Sequence, residues 1–378
     1  MNNRRLFLCG LFAATLSLSA LNSSLATANQ DYGKVDRIGT LYTASNATTD
    51  NQILAFDQMR DGSLKPTGKV STGGNGSGGG LGNQSGLTLT SNRQLLLAVN
   101  AGSNEISVFK FNDRQPKLVS KISSGGIRPV SVTVQDDLVY VLNAGSDDVT
   151  GFYLKDNGKL LPIPNSRRTL SGKATAPAQI RFSPKGDTMV VTEKATNVIS
   201  TFPIRKGYLG DRISNPSNAN TPFGFAFDRR DNLLVSEAAG GPPNISSISS
   251  YDILPSSKLK TITAAAKTNQ LAACWVVVSK NGKYAYVSNT ASGTITGFEI
   301  KANGTLTTLN GDGQTGNTGT GSGPIDLVIS RNGQFLSSLN SQNGTISNFK
   351  IESNGALKPA PTRSNLPTTV NGDRKSVV

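Results

Sequence analysis

Histidine is absent from the 378-residue chain, cysteine occurs twice, and aromatic side chains make up only 6% of it. Without imidazole there is no base of that kind to activate a serine or cysteine, so serine–histidine and cysteine–histidine hydrolysis are excluded. Zinc sites fall with them, because they need imidazoles or paired thiolates, and Cys9 and Cys274 lie far apart in the chain. For calcium, Asp147-Asp148 reads as a solvated turn, and "NGDGQTGN" (310–317) lacks a ladder of carboxylates. The stretch "GNGSGG" (74–79) has the G-x-G-x-x-G spacing, but no helix follows to present amides to a pyrophosphate. No metal and no cofactor is therefore expected.

Acidic residues are also few, 24 against 38 Lys and Arg. The basic excess is spread out, with "SRR" (166–168), "DRR" (228–230) and "DRK" (373–375) as its local concentrations. No basic run is interleaved with aromatics, so nucleic acid is not an expected partner. An anionic envelope surface remains a candidate partner, and a monomer is expected.

Long apolar runs are scarce as well; one stands at the N-terminus. Arg4 and Arg5 precede an apolar stretch from Leu6 to Leu21, and Ala26-Thr27-Ala28 supplies a small-x-small cleavage site. This pattern predicts a secretory leader over 1–28, then a single domain over 29–378 that is secreted or periplasmic. An uncleaved membrane anchor is the competing reading, although the run is short for a full span. Removal of the leader lowers the net charge from +14 to +12, as Arg4 and Arg5 are its only charged residues. Cys274 would then be the sole thiol, in the apolar setting "LAACWVVVS", where it reads as buried and inert.

What the chain has in quantity is glycine (40 residues), with Ser, Thr and Asn, arranged as a repeat. "KNGKYAYVSNTASGTITGFEIKANGTL" (280–306) and "RNGQFLSSLNSQNGTISNFKIESNGAL" (331–357) align without gaps. Further copies run over 39–64, 91–111, 135–160, 176–202 and 228–253, making seven. In each, two apolar strands flank a turn, the second ends in Asn or Glu, and an alternating third strand leads through another turn to a fourth. The Asn-Gly turns suggest type I′ hairpins. Four antiparallel strands repeated in this way predict an all-β fold, a seven-bladed β-propeller. Innermost strands are expected to begin near Gly86, Pro129, Pro177, Pro222, Cys274 and Pro324. The first copy lacks one, which either "DYGKVDRI" (31–38) just upstream or the other terminus must supply; a C-terminal segment around Asn365 to Val370 is the expected source. "NGDRKSVV" would then be a frayed tail, and the glycine-rich insertions at 71–86 and 309–323 mobile loops on one face.

"FSPKGDTMVVTEKATNVISTF" and "VSKNGKYAYVSNTASGTITGFEI" resemble the lactonase-like seven-bladed propeller family, which includes 6-phosphogluconolactonases and carboxymuconate-cyclising enzymes and overlaps the YVTN-type propellers. The resemblance covers nearly all of the mature chain. It implies a catalytic glutamate at the end of a second strand, matched by Glu193. It also implies an arginine and a histidine at the start of that blade's inner strand, where this chain has Pro177-Ala178-Gln179. A second family histidine falls on Val130, and a further arginine on Thr290.

Glu193 and Glu237 share a repeat position with Asn100, Asn143, Asn289 and Asn340, at the end of the second strand and close to the channel mouth; Gln179 is placed at the mouth with them. Two readings stand. In the first, all six serve simply as acceptors for backbone N–H groups of the following turn. Alternatively, the two carboxylates face a polar central pocket and bind a cation, hold a sugar or assist hydrolysis. The expected function is accordingly an exported propeller that binds a small polar ligand or partner without family-type catalysis. A lactone hydrolase acting on a sugar lactone through Glu193, with Glu237 or Arg181 assisting, is the alternative, and a structural envelope role is the third. Whether the chain is an enzyme is left open by the sequence.

Overall fold

Strands of two to nine residues with one apolar face can bury that face only by stacking sheet on sheet, and here they do so in a ring. The computed structural model describes residues 36–112, 115–239 and 246–366, and the backbone of 375–377. The expected leader over 1–28 lies outside the described residues. The compact unit of the fold runs from Ile38 to Val378. Among the described residues there is no helix, and the strands form seven antiparallel sheets of four or five strands. Each is a blade whose strands follow in chain order from the hub outward.

The inner strands of blades 2 to 7 are Leu87–Leu89, Pro129–Gln135, Pro177–Phe182, Pro222–Phe227, Ala273–Val278 and Pro324–Ile329, as the repeat predicts. Blade 1 is built from both ends of the domain. Arg37–Ala44, Gln52–Met59 and Leu64–Ser71 are joined by Lys375–Val377, which pairs with Thr40–Tyr42 as the innermost strand. The C-terminus therefore closes the ring as expected, but later than Asn365–Val370. The segment taken for a frayed tail supplies the closing strand. Closure gives Arg37–Ala44 a neighbour on the hub side, where it would otherwise be an exposed edge.

Seven apolar clusters among the described residues correspond to the seven seams between blades. Val130, Tyr140 and Leu142 of blade 3 meet Ile180, Met189 and Phe202 of blade 4. Leu41 and Phe56 of blade 1 meet Leu339 and Ile346 of blade 7, completing the circle. The core is thus distributed around the ring, which leaves the axis free for polar groups.

The turn chemistry differs from the expectation. In the Lys280-Asn281-Gly282 hairpin only the glycine takes positive φ (72°), and Gly282 N bonds Ser279 O at 2.8 Å. A type I′ turn would need positive φ at two consecutive residues. Ser279 and Asn281 side chains hold the wider loop instead, with Lys283 N donating to Asn281 Oδ1 and Tyr284 N to Ser279 Oγ. These first hairpins define the lower face of the disc. The upper face carries the starts of the inner strands and the ends of the second strands.

Candidate functional site

Five inner strands share a device at the upper mouth. The register between first and second strands slips between Pro129 and Ser131, Pro177 and Gln179, Pro222 and Phe225, Ala273 and Val276, and Pro324 and Asp326. A bulge leaves the extra residue outside the ladder and re-aims its backbone. The freed carbonyls must then find other donors. Thr192 Oγ1 donates to Phe223 O, and Ser236 Oγ to Cys274 O. Val130 O and Ala178 O receive theirs from the glycine-rich segment before blade 2: Asn83 Nδ2 donates to the first, and Gln84 N to the second at 3.0 Å.

That segment is not a free loop. Gly76 lies so close to blade 1 that a β-carbon there would stand 2.2 Å from the Asn46 carbonyl carbon. From this anchorage Leu81 to Ser85 cross the hub. Trp275 Nε1 donates to Asn83 O at 2.5 Å, and Ser131 Oγ to Gln84 O at 2.7 Å. Gln84 Nε2 donates to Val276 O at 2.9 Å while its Oε1 accepts from Val276 N at 3.3 Å. Gln179 Nε2 reaches Ser85 Oγ at 3.5 Å, and its Oε1 accepts from Phe225 N at 2.6 Å. Leu81, Asn83, Gln84 and Ser85 are each 5–7% exposed. The upper channel is stoppered by the chain itself, with contacts to blades 3, 4 and 6. The second insertion is also tied down, since Thr318 Oγ1 donates to Gly293 O at 2.8 Å and Gln342 N to Ser322 O at 3.1 Å.

Glu193 and Glu237 are fully buried. Glu193 accepts from Ser171 N at 3.1 Å, from Thr196 Oγ1 at 3.2 Å, and from the hydroxyls of Ser171 and Ser200. Glu237 accepts from Ser217 Oγ at 3.1 Å, Ala219 N at 3.2 Å, Ser247 Oγ at 2.5 Å and Ser249 Oγ at 2.7 Å. Burial pushes the Glu237 carboxyl above its ordinary range, against the opposing effect of these donors.

The asparagines in the same position do a related job with the bonds reversed. Asn100 Nδ2 donates to Ser107 Oγ at 2.8 Å, and that hydroxyl donates to Thr72 O at 2.7 Å. Asn143, Asn289 and Asn340 likewise donate to Thr150, Thr296 and Ser347 on their third strands. With glutamate, the third-strand hydroxyl donates inward, and the longer side chain collects Ser171, or Ser217 and Ala219, from the connection out of the preceding blade. The backbone donors thus come from that connection rather than from the following turn. Asn143, Asn289 and Asn340 bond within their own blades, Asn100 and the two glutamates also tie in a neighbouring segment, and the two carboxylates are not brought together as a pair facing an open pocket.

Arg181 is paired in register with Val190, three residues down the second strand from Glu193 and so about 10 Å along it. It is exposed, lies 5.8 Å from the Phe227 ring centroid, and lines a lower cavity rather than joining Glu193. Lys194 holds the stopper from above. Its Nζ donates to Gly82 O and stands 4.5 Å over the Phe223 ring, and burial lowers its pKa to about 8. Cys274 is buried as expected, and burial pushes its thiol up to about 11. Asp147 and Asp148 are not the solvated turn the sequence suggested. Asp148 is fully buried and receives both Nε and Nη2 of Arg167, while Asp147 accepts from Ala174 N and Thr175 N. No cluster of metal-ligating side chains occurs among the described residues.

Below the stopper a cavity of about 250 Å³ opens toward the lower face. Gln84 and Ser85 form its end wall, and Arg181, Phe227, Val276–Val278, Lys280 and Asp326–Ile329 line its sides.

Ring, bulged hub and interior cavity define a seven-bladed propeller with a channel blocked at one end. The profile described as "Lactonase, 7-bladed beta-propeller" matches residues 49–172 and 244–372, and the chain belongs to that family. No curated protein matches by sequence. Among solved structures, a candidate 6-phosphogluconolactonase from Bacteroides fragilis is similar, with 19% identity and TM-score 0.73, over 90% of this chain and 98% of that one. A periplasmic gluconolactonase from Pseudomonas aeruginosa shares 14% identity with TM-score 0.72, over 90% of this chain and 99% of that one. At such identities the likeness carries the fold alone.

Proposed function

We propose that this lactonase-family chain is an exported, non-hydrolytic propeller that binds a small polar molecule at the open lower end of its channel. One observation carries the reading: residues Leu81–Ser85 occupy the upper channel, where the family resemblance puts the reacting groups. The residues at the positions of the family's cationic partners, Val130, Ala178, Gln179 and Thr290, are uncharged, and three of them, Val130, Ala178 and Gln179, hold the stopper. Lactone opening needs a base in reach of water and stabilisation for the oxyanion. Glu193 has its oxygens committed to Ser171, Thr196 and Ser200. The sequence pattern of residues 1–28 supports export.

The test is a hydrolysis assay of the leaderless protein with glucono-1,5-lactone and 6-phosphogluconolactone, followed by base uptake. The expected rate equals spontaneous opening. Acceleration that disappears in Glu193→Gln would establish the hydrolase alternative instead.

A further inference from the structure

At the upper mouth Lys194 and Arg128 are engaged by the stopper, donating to Gly82 O and Gly80 O; the lower mouth carries a row of basic side chains of its own. Its rim is made by the first hairpins, and in blades 2, 5, 6 and 7 these carry Arg93, Arg229 with Arg230, Lys280, and Arg331. Side chains lean from each hairpin onto the next. Arg229 packs over the Gly282 turn and donates to Lys280 O, and Lys280 packs over Gly333. A β-carbon at Gly282 would stand 2.8 Å from the Arg229 side chain, and one at Gly333 would stand 3.0 Å from that of Lys280. Only glycine at these turns lets the basic side chains lie flat along the rim.

No ion pair among the described residues involves Arg93, Lys280 or Arg331. The acids of the blade 5 hairpin are engaged: Asp231 pairs with Lys185 at 3.2 Å, and buried Asp228 accepts from Arg230 N and Asn232 N, while Asp136 and Asp137 belong to the blade 3 hairpin. Asp326 is the carboxylate within the cavity wall, 2% exposed, and accepts from Leu327 N at 2.7 Å. Burial, with the like charges of Arg93 and Arg331, lowers the Lys280 pKa, which places the three cations within one another's field.

The cavity itself is small, below the roughly 300–1,000 Å³ of pockets for drug-sized ligands. Its sides are the inner strands of blades 4, 5, 6 and 7, each the terminal strand of its sheet. Such strands turn unpaired N–H and C=O groups to the axis, donors and acceptors suited to hydroxyls. Arg181, near the lower end of the blade 4 inner strand, lies over Phe227, the last residue of the blade 5 inner strand. A compact polyol would fit these walls, and an anionic group on it would meet the rim.

We propose that the lower mouth binds a small anion, a molecule of about monosaccharide size whose carboxylate or phosphate is held by Lys280 and Arg331 with Arg93 beside them. This names the ligand class for the binding reading above and rests on it. Lactone turnover would defeat only the non-hydrolytic half of that reading, since the measurement below reads binding and not hydrolysis.

The test is calorimetric titration of the leaderless protein with citrate and with inorganic pyrophosphate at low and moderate salt, with glucose as the neutral control. Saturable binding of one anion per chain is expected, weakening with salt. Lys280→Gln combined with Arg331→Gln should lower the affinity by about ten-fold or more. Lys117→Gln, an equal kind of charge removal on an exposed outer strand, should leave it unchanged. Absence of binding at millimolar anion overturns the proposal. So does glucose binding as well as the anions, or an equal loss in Lys117→Gln, which would mean attraction to net charge alone.

Discussion

Removing the Gln84 side chain is the sharpest perturbation of the stopper. Gln84→Ala deletes two hydrogen bonds to the Val276 backbone, at 2.9 and 3.3 Å. At a net 0.5–1.5 kcal/mol per bond the pair contributes roughly 1–3 kcal/mol. Two features push the value to the low end. The second bond is long, and Gln84 borders the lower cavity, so water entering from below can replace the lost amide at Val276. The expected loss is therefore about 1–2 kcal/mol. The main-chain bonds of Gln84 to Ala178 and Ser131 survive, so the ring should fold with its stopper loosened. Urea denaturation followed by Trp275, the single tryptophan, reads the stability as a lower midpoint at unchanged slope. Because the Trp275 indole donates to Asn83 O, native-state quenching by acrylamide should rise in the variant. Unchanged stability together with wild-type shielding of Trp275 would refute the reasoning.

Other perturbations test separate parts of the structure. Burial holds Lys194 near 8 against an ordinary 10.5, so the unfolded chain binds more protons between those values. Its cost to the fold is full below pH 8 and relieved by pH 10.5, so wild type should gain roughly 3 kcal/mol over Lys194→Met across that window. Matched denaturation curves check this; Cys274, raised to about 11, is present in both proteins, and a flat difference would contradict it. Glu193→Gln places an amide donor against hydroxyl and N–H donors, and should cost roughly 1–3 kcal/mol in the same melts. Gly76→Ala drives a β-carbon into the Asn46 backbone and should lower the thermal midpoint by several degrees. Deleting Lys375–Val378 unpairs Thr40–Tyr42 and should raise limited proteolysis in blade 1 ahead of the other blades.

Much of the architecture was legible because blade geometry repeats. Proline marks the start of four inner strands, at Pro129, Pro177, Pro222 and Pro324, and the alternating third strands stand out by their period. Three features were not legible. Lys375–Val377 is too short for periodicity to register. The bulges add one residue beside each of these prolines, which leaves a sequence pattern almost unchanged while redirecting a carbonyl. The stopper depends on contacts between residues as far apart as Asn83 and Trp275, and its glycine-rich composition reads as an open loop. Its signal was the cluster Leu81, Asn83, Gln84 and Ser85, apolar and hydrogen-bonding groups set within glycines. Glu193 ends its second strand as the repeat predicts, but its partner Ser171 lies in a connection that sequence alone does not place beside it.

The central claim is that the upper channel is filled by the chain itself, and amide hydrogen exchange at Gln84 tests it most directly. Its N–H is bonded to Ala178 O across the hub. Exchange as slow as that of the flanking blade strands is the expected result. Exchange at the rate of an unprotected loop, with the strands around it still protected, would mean that the channel is open and the account wrong.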